Sequence, residues 1–266
     1  MGEAWIAEKS PFIIASGILG LLMLIFLYLP IINTVIASPD RMISALMRPE
    51  TRDAIFMSFY AALLATLITF AFGIPLAYIL ARFSFPGKSI IDASIDLPIL
   101  IPHDAAGIAL LLLFGPKAPL GRLLSGMGIS FIDTLFGVVL AMTFVSAPFM
   151  IRSAEDAFKA VNPQMENVAR SLGASRFRAF MHVTFPLAFR GILTGCLLTW
   201  ARAISEFGAV IILANIPKTA PVYLYEVFIN EGLTAAIPVT SLLIIMAVLI
   251  FMAVKAIATR PLKPVY

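Results

Sequence analysis

A chain of 266 residues, 61% hydrophobic and only 13% charged, has too little polar surface to cover a soluble globule, so the composition specifies an integral membrane protein. The net charge of +4 is parcelled among short connections rather than gathered on one face, which argues against a nucleic-acid partner and fits a surface of membrane lipid. Cys196 stands alone in an apolar run, so it offers no internal disulfide and no metal cluster and reads as a small packed side chain.

Apolar stretches long enough to cross a bilayer, about 20 residues of helix, recur at 12–37, 54–81, 95–114, 134–158, 191–214 and 236–258. The fold class they imply is an all-α membrane protein of six transmembrane helices. The first stretch ends on Val35 and Ala37, a small-residue pattern like a signal cleavage site, but it is longer than a signal core and is expected to be retained. Asp96, Pro98, Pro102, His103 and Asp104 interrupt the third, so that span is expected to bend where protein or a watery cavity surrounds it. "PGKS" at 86–89 lacks the earlier glycine and the strand of a phosphate loop and reads as a turn.

With both termini in the cytoplasm, the inner segments hold twelve basic residues: Lys9, Arg82, Lys88, Arg152, Lys159, Arg170, Arg176, Arg178, Arg190, Lys255, Arg260 and Lys263. The outer loops hold six, Arg41, Arg48, Arg52, Lys117, Arg122 and Lys218, and Arg202 is left inside a span. This two-to-one bias favours cytoplasmic termini and puts residues 159–190 on the cytoplasmic side.

There Asn162-Pro163 reads as a helix N-cap followed by proline at the first position, Glu166 and Arg170 stand one turn apart, and Gly173 ends the helix. Ser175 caps a second helix carrying Arg176, Phe177, Arg178 and Phe180, which Pro186 interrupts before the fifth span. Three uses fit such a unit: an amphipathic connector at the lipid interface, a DNA-binding helix pair, or a docking knob with an apolar centre and basic rim. Tethering to spans at both ends disfavours the second.

In the fifth span, Arg202 and Glu206 of "ARAISEFG" share one helix face. Charges at mid-membrane generally find a partner and face the bundle interior or a wet cavity. The pair is therefore either a structural cement or part of a pathway. His103 and His182 are far apart and lack ligand-spaced companions, so no metal site is expected, and Asp96 and Asp104 lack a nucleophile. No catalysis is expected of this chain.

The segment "NVARSLGASRFRAFMHVTFP" resembles the signature of permease subunits of ATP-binding-cassette importers, with Ala169, Gly173, Val183 and Pro186 in register and Asn167, Val168 and Phe185 as departures. "GIPLAYILARFSFPGKSIIDASIDLPILIPHDAAGIALLLLFG" and "TWARAISEFGAVIILA" look like the permeases for molybdate and tungstate, and less closely those for sulfate. The resemblance runs over 54–258 and implies the type I importer permease fold, with residues 1–53 an added helix and external loop and 259–266 a cytoplasmic tail. It further implies that Glu166, Ala169, Arg170, Leu172, Gly173, Ala174, Arg176 and Phe177 couple to an ATPase, and that Pro102, His103, Arg202 and Glu206 belong to the translocation pathway or its gate.

The partners it implies are a second copy of this chain, two ATPase subunits that carry ATP and magnesium, and an external oxyanion-binding protein, in a prokaryotic cell membrane. No cofactor would be held by this chain itself. An ion-gradient-driven secondary transporter stays open as a different class, disfavoured because only one broken span is visible where paired repeats would give two.

Overall fold

In the computed structural model, which describes residues 11–258, every span is helical, and no strand occurs among the described residues. Lys9, Arg260, Lys263, the Lys255 side chain and the tail 259–266 lie outside the described residues.

Among the described residues five helices are long and apolar enough to cross a membrane, and a bent pair counts as a sixth when taken as one span. The first, α1 (Pro11–Ile36), has no buried residue and leans on the last helix, where the Ser241 hydroxyl donates to the Thr34 carbonyl at 2.8 Å. After α2 (Pro39–Met47) comes α3 (Pro49–Arg82), whose 34 residues extend about 51 Å at the usual helical rise and so overreach the bilayer core.

The expected bend in the third span is present and sharp. Helices α4 (Lys88–Ile95) and α5 (Leu97–Leu100) meet α6 (His103–Phe114) at 112°. Ile101 is extended, as the residue before a proline prefers, and Pro102 opens the new helix. Beyond α7 (Pro119–Gly126), Thr134 caps α8 (Leu135–Ala160) by accepting the Gly137 amide at 3.3 Å.

Two expectations for the fifth span are corrected. It does not run over 191–214, and Pro186 does not interrupt it: α10 (Arg176–Ala179), a π turn (Phe180–Thr184) and α11 (Phe185–Ile204) form one 29-residue helix. Pro186 has no N–H to give the His182 carbonyl, and the wide turn at that place lets the helix continue past the missing bond. The span ends at Ile204 instead, and after a break a short α12 (Gly208–Leu213) turns back. The chain thus has a second broken segment that the hydropathy of 191–214 conceals. α13 (Ala220–Glu231) and α14 (Leu233–Ala258) complete it.

At the centre, α8 packs between α3 and α11. Small residues allow the approach: a Cβ on Gly195 would stand 2.9 Å from that of Ser153, and one on Gly191 would collide with Ala157. Three apolar clusters stack along this bundle. One joins α3, α6, α8, α11, α12 and α13; one joins α3, α8 and α11, with Cys196 half-buried against it; one joins α2, α3, α13 and α14.

Candidate functional site

Residues 162–180 form the capped helix pair expected of them. Asn162 Oδ1 accepts the Gln164 amide at 2.9 Å, and Ser175 Oγ accepts that of Arg178 at 3.3 Å. Between them α9 (Pro163–Ser171) closes with Gly173 at φ +91°. The Gly173 amide reaches the Arg170 carbonyl at 3.0 Å and the Ala174 amide that of Ala169 at 3.1 Å, two crossed bonds that satisfy carbonyls the helix end would orphan.

Outside this turn the side chains divide by chemistry. Leu172 is 84% exposed and Phe177 72%, with Val168 and Met165 beside them, so an apolar knob projects between Arg170 and Arg176. Glu166 faces the other way. It does not pair with Arg170 as the spacing suggested. Its Oε1 accepts Arg82 Nε at 2.7 Å and its Oε2 the Tyr78 hydroxyl at 2.9 Å, while Arg82 Nη2 donates to the Val161 carbonyl at 3.0 Å. A partner already charged and half-buried at the end of α3 outcompetes one on an exposed helix face, where an ion pair is worth little.

Burial works to raise the Glu166 carboxyl, but the nearby Thr184 hydroxyl, the Arg82 and Tyr78 donors and the Arg82 charge together outweigh it and hold the group below the usual glutamate range. The Thr184 hydroxyl faces the same carboxylate without a hydrogen bond of normal geometry. Above it, Tyr78 packs edge-on against Phe180 and Phe158, with ring centroids 4.8 and 5.6 Å away. Helix α9 is thereby fastened to α3, α8 and the fifth span at once.

The second group lies where the two broken segments meet. Arg202 is on the last turn of α11, and Glu206 lies in the break that follows, not inside the span. Arg202 Nη2 donates to Glu206 Oε2 at 2.7 Å, and His103 Nδ1 lies 3.0 Å from the same oxygen. Nη2 is nearly equidistant from both imidazole nitrogens, at 2.8 and 3.0 Å, which puts the guanidinium against the ring rather than on a lone pair. Glu206 is fully buried, and its Oε1 accepts the Ala209 amide at 2.9 Å, so the carboxylate also caps α12.

The close approach of α6 and α12 creates this meeting. A Cβ on Gly107 would stand 2.8 Å from that of Ile212, and one on Gly208 would strike the Asp104 carboxylate. Pro102 supplies the bend and opens α6. The arrangement leaves Glu206 wholly enclosed, whereas the Arg202 side chain keeps 19% exposure and that of His103 39%. The accessible part of the group is therefore the cation and the imidazole, not the carboxylate.

A third group was not expected from the sequence, which placed Arg152 and Lys159 among the inner basic residues and Asp96 only as an interruption of the third span. Both bases lie on α8. Arg152 forks onto Asp96, with Nε to Oδ1 at 2.9 Å and Nη2 to Oδ2 at 2.8 Å, and also reaches Asp92 and Glu155; Lys159 reaches Glu155 at 2.7 Å. The signal available was the i, i+3 and i, i+4 spacing of Arg152, Glu155 and Lys159. Its partners Asp92 on α4 and Asp96 between α4 and α5, 60 and 56 residues away, carried none.

The profile of the family described as the binding-protein-dependent transport system inner membrane component matches residues 73–261. The molybdate/tungstate transport system permease protein WtpB of Thermococcus kodakarensis is 43% identical over 221 residues, covering 83% of this chain and 84% of that protein. A probable sulfate transport system permease protein of Chlorokybus atmophyticus is 41% identical over 182 residues, 67% and 64% of the two chains. A chain of the bacterial alginate ABC transporter, solved in complex with alginate pentasaccharide-bound periplasmic protein, superposes with TM-score 0.75 over 94% of each chain at 18% identity, a likeness of fold.

Proposed function

Since this chain belongs to the family of inner membrane components of binding-protein-dependent transport systems, a family of multi-pass permeases, we propose that it is the pathway-forming subunit of an importer of molybdate or tungstate. The oxyanion reading is supported by the 43% identity to a molybdate/tungstate permease over most of both chains, against a shorter match to a sulfate permease.

The observation that carries the mechanism is the cytoplasmic helix pair. Its apolar knob of Leu172 and Phe177 is exposed between arginines, and its opposite side is fastened to α3 through Glu166 and Arg82. A surface of this build seats in a cleft of another protein, and the fastening passes that protein's motion into the bundle. The seated protein is an ATPase on a separate chain, two copies of which, each with ATP and magnesium, drive two copies of this permease. Both termini are cytoplasmic, and an oxyanion-binding protein docks on the outer face.

Within the bundle, Arg202 and His103 offer the passing oxyanion a positive and hydrogen-bonding face, while Glu206 holds Arg202 in place and limits how tightly an anion binds. ATP binding draws the helix pairs together and turns the pathway outward; hydrolysis reverses it.

The experiment is uptake by proteoliposomes containing the permease with its ATPase and cognate binding protein. ATP-dependent accumulation of labelled tungstate, resisted by molybdate and not by excess sulfate, is the expected result. Accumulation of sulfate that tungstate does not compete with would replace the oxyanion reading, and uptake driven by an ion gradient without the ATPase would overturn the whole.

A further inference from the structure

The Arg152 guanidinium uses all five of its N–H groups on the segment that ends at His103 and on its own helix. Nε and Nη2 fork onto Asp96; Nη1 divides between Asp92 Oδ1 at 3.3 Å and Glu155 Oε2 at 2.8 Å; the second Nη2 hydrogen points at the Asp92 carbonyl. Glu155 is 2% exposed and is held from its other side by Lys159. As a mere stabiliser this is a weak device, since Asp92, Asp96 and Lys159 keep 31%, 41% and 51% side-chain exposure, where an ion pair is worth little, and Glu155 is the buried member. As a device that fixes orientation it is a strong one, because a planar five-donor fork admits one placement of its acceptors.

What it orients connects the two sites. Eight residues beyond Arg152, α8 ends at Ala160, and α9 begins at Pro163. Seven residues beyond Asp96, past the 112° bend, His103 stands 3.0 Å from Glu206. From these positions we infer that Arg152 is the positioning residue that clamps α4 and α5 to α8, so that displacement of the cytoplasmic helix pair is delivered through the bent segment to His103, Arg202 and Glu206. The inference rests on the permease reading given above.

The test uses the full complex of permease, ATPase and binding protein in proteoliposomes, in a Cys196→Ala background. Two single-cysteine reporters, Asn167→Cys on α9 and Ala105→Cys beside His103, are labelled with a small maleimide, with and without ATP plus vanadate. The parent is expected to change labelling rate at both. Arg152→Lys keeps the charge but loses the fork; it should keep the ATP-dependent change at residue 167, lose that at 105, and move about fivefold less oxyanion per ATP or worse. Asp96→Asn, which keeps the shape of the acceptor, should give the same split if Arg152→Lys assembles poorly.

Changes retained at both reporters with parental uptake per ATP would overturn the clamp. Loss of ATPase association together with both changes in both variants would reduce it to a structural brace. A parent that binds no ATPase or shows no ATP-dependent change fails the permease reading itself, a result seen before either variant is made.

Discussion

Replacing Arg202 and Glu206 by glutamine, singly and together, separates a transport role of the pair from a scaffolding role. Glu206 is fully enclosed and accepts from Arg202 at 2.7 Å and from the Ala209 amide at 2.9 Å, while His103 Nδ1 lies 3.0 Å from the oxygen that Arg202 holds. Glu206→Gln keeps an acceptor for Ala209 but strands Arg202, and removing one partner of a buried pair costs about 3–5 kcal/mol. The 19% exposure of the Arg202 side chain lets water reach it and brings this toward the lower end. Arg202→Gln leaves the carboxylate to His103 and to the N-terminus of α12, with a similar cost expected.

The double variant removes both charges and keeps much of the shape, so its cost should fall short of the sum by about 1–3 kcal/mol, the range of coupling between touching residues. In detergent this is read as denaturation midpoints, at about 2–4 °C per kcal/mol for chains near this size. The double variant should also associate with its ATPase yet lose most oxyanion uptake. Wild-type uptake by the double variant would show that the pair is scaffolding, and strictly additive midpoint shifts would show that the two charges do not stabilise each other.

Gly173→Val forces a β-branched residue to φ near +91°, at about 1–3 kcal/mol of local strain; membrane insertion should stay near normal while uptake falls, and parental uptake would remove the turn from the coupling unit. The Glu166 carboxyl is held below its unfolded value, so its fastening of α9 is fully present above the usual glutamate range and is lost as pH falls through the lower folded value. A spin label at Asn167 should therefore gain mobility on acidification, and Glu166→Gln should flatten that profile; an unchanged profile in the variant assigns the pH effect elsewhere. In a Cys196→Ala background, single cysteines at Ser44 and Gly126 should react with an impermeant thiol reagent from outside cells, and one at Ser89 only after the membrane is opened. Labelling at Ser89 from outside would invert the topology.

Membrane class, the number of spans and the turn chemistry of 162–175 were legible because each depends on residues within a few positions of one another. A run of apolar side chains partitions into lipid whatever its neighbours are, Asn162 and Ser175 satisfy amides two and three residues on, and Gly173 adopts positive φ by virtue of having no side chain. The bend at Pro102 belongs to the same kind, since proline restricts the residue before it.

Partner choice among the charges was decided by the tertiary structure. Glu166 turned from Arg170, four residues away, to Arg82, 84 residues away, and Asp96 found Arg152 at a separation of 56. An exposed ion pair is nearly neutral in energy, so local spacing cannot hold a carboxylate against a partner that packing brings into a drier place. The break after Ile204 was hidden for a related reason. α12 is as apolar as the helix before it, and only its close packing on α6 through Gly107 and Gly208, with the buried Glu206 carboxylate capping its first turn, makes it favourable to leave the span. Hydropathy records what lipid or protein will accept around a segment, whereas its direction is set by which surface lies close enough to receive it.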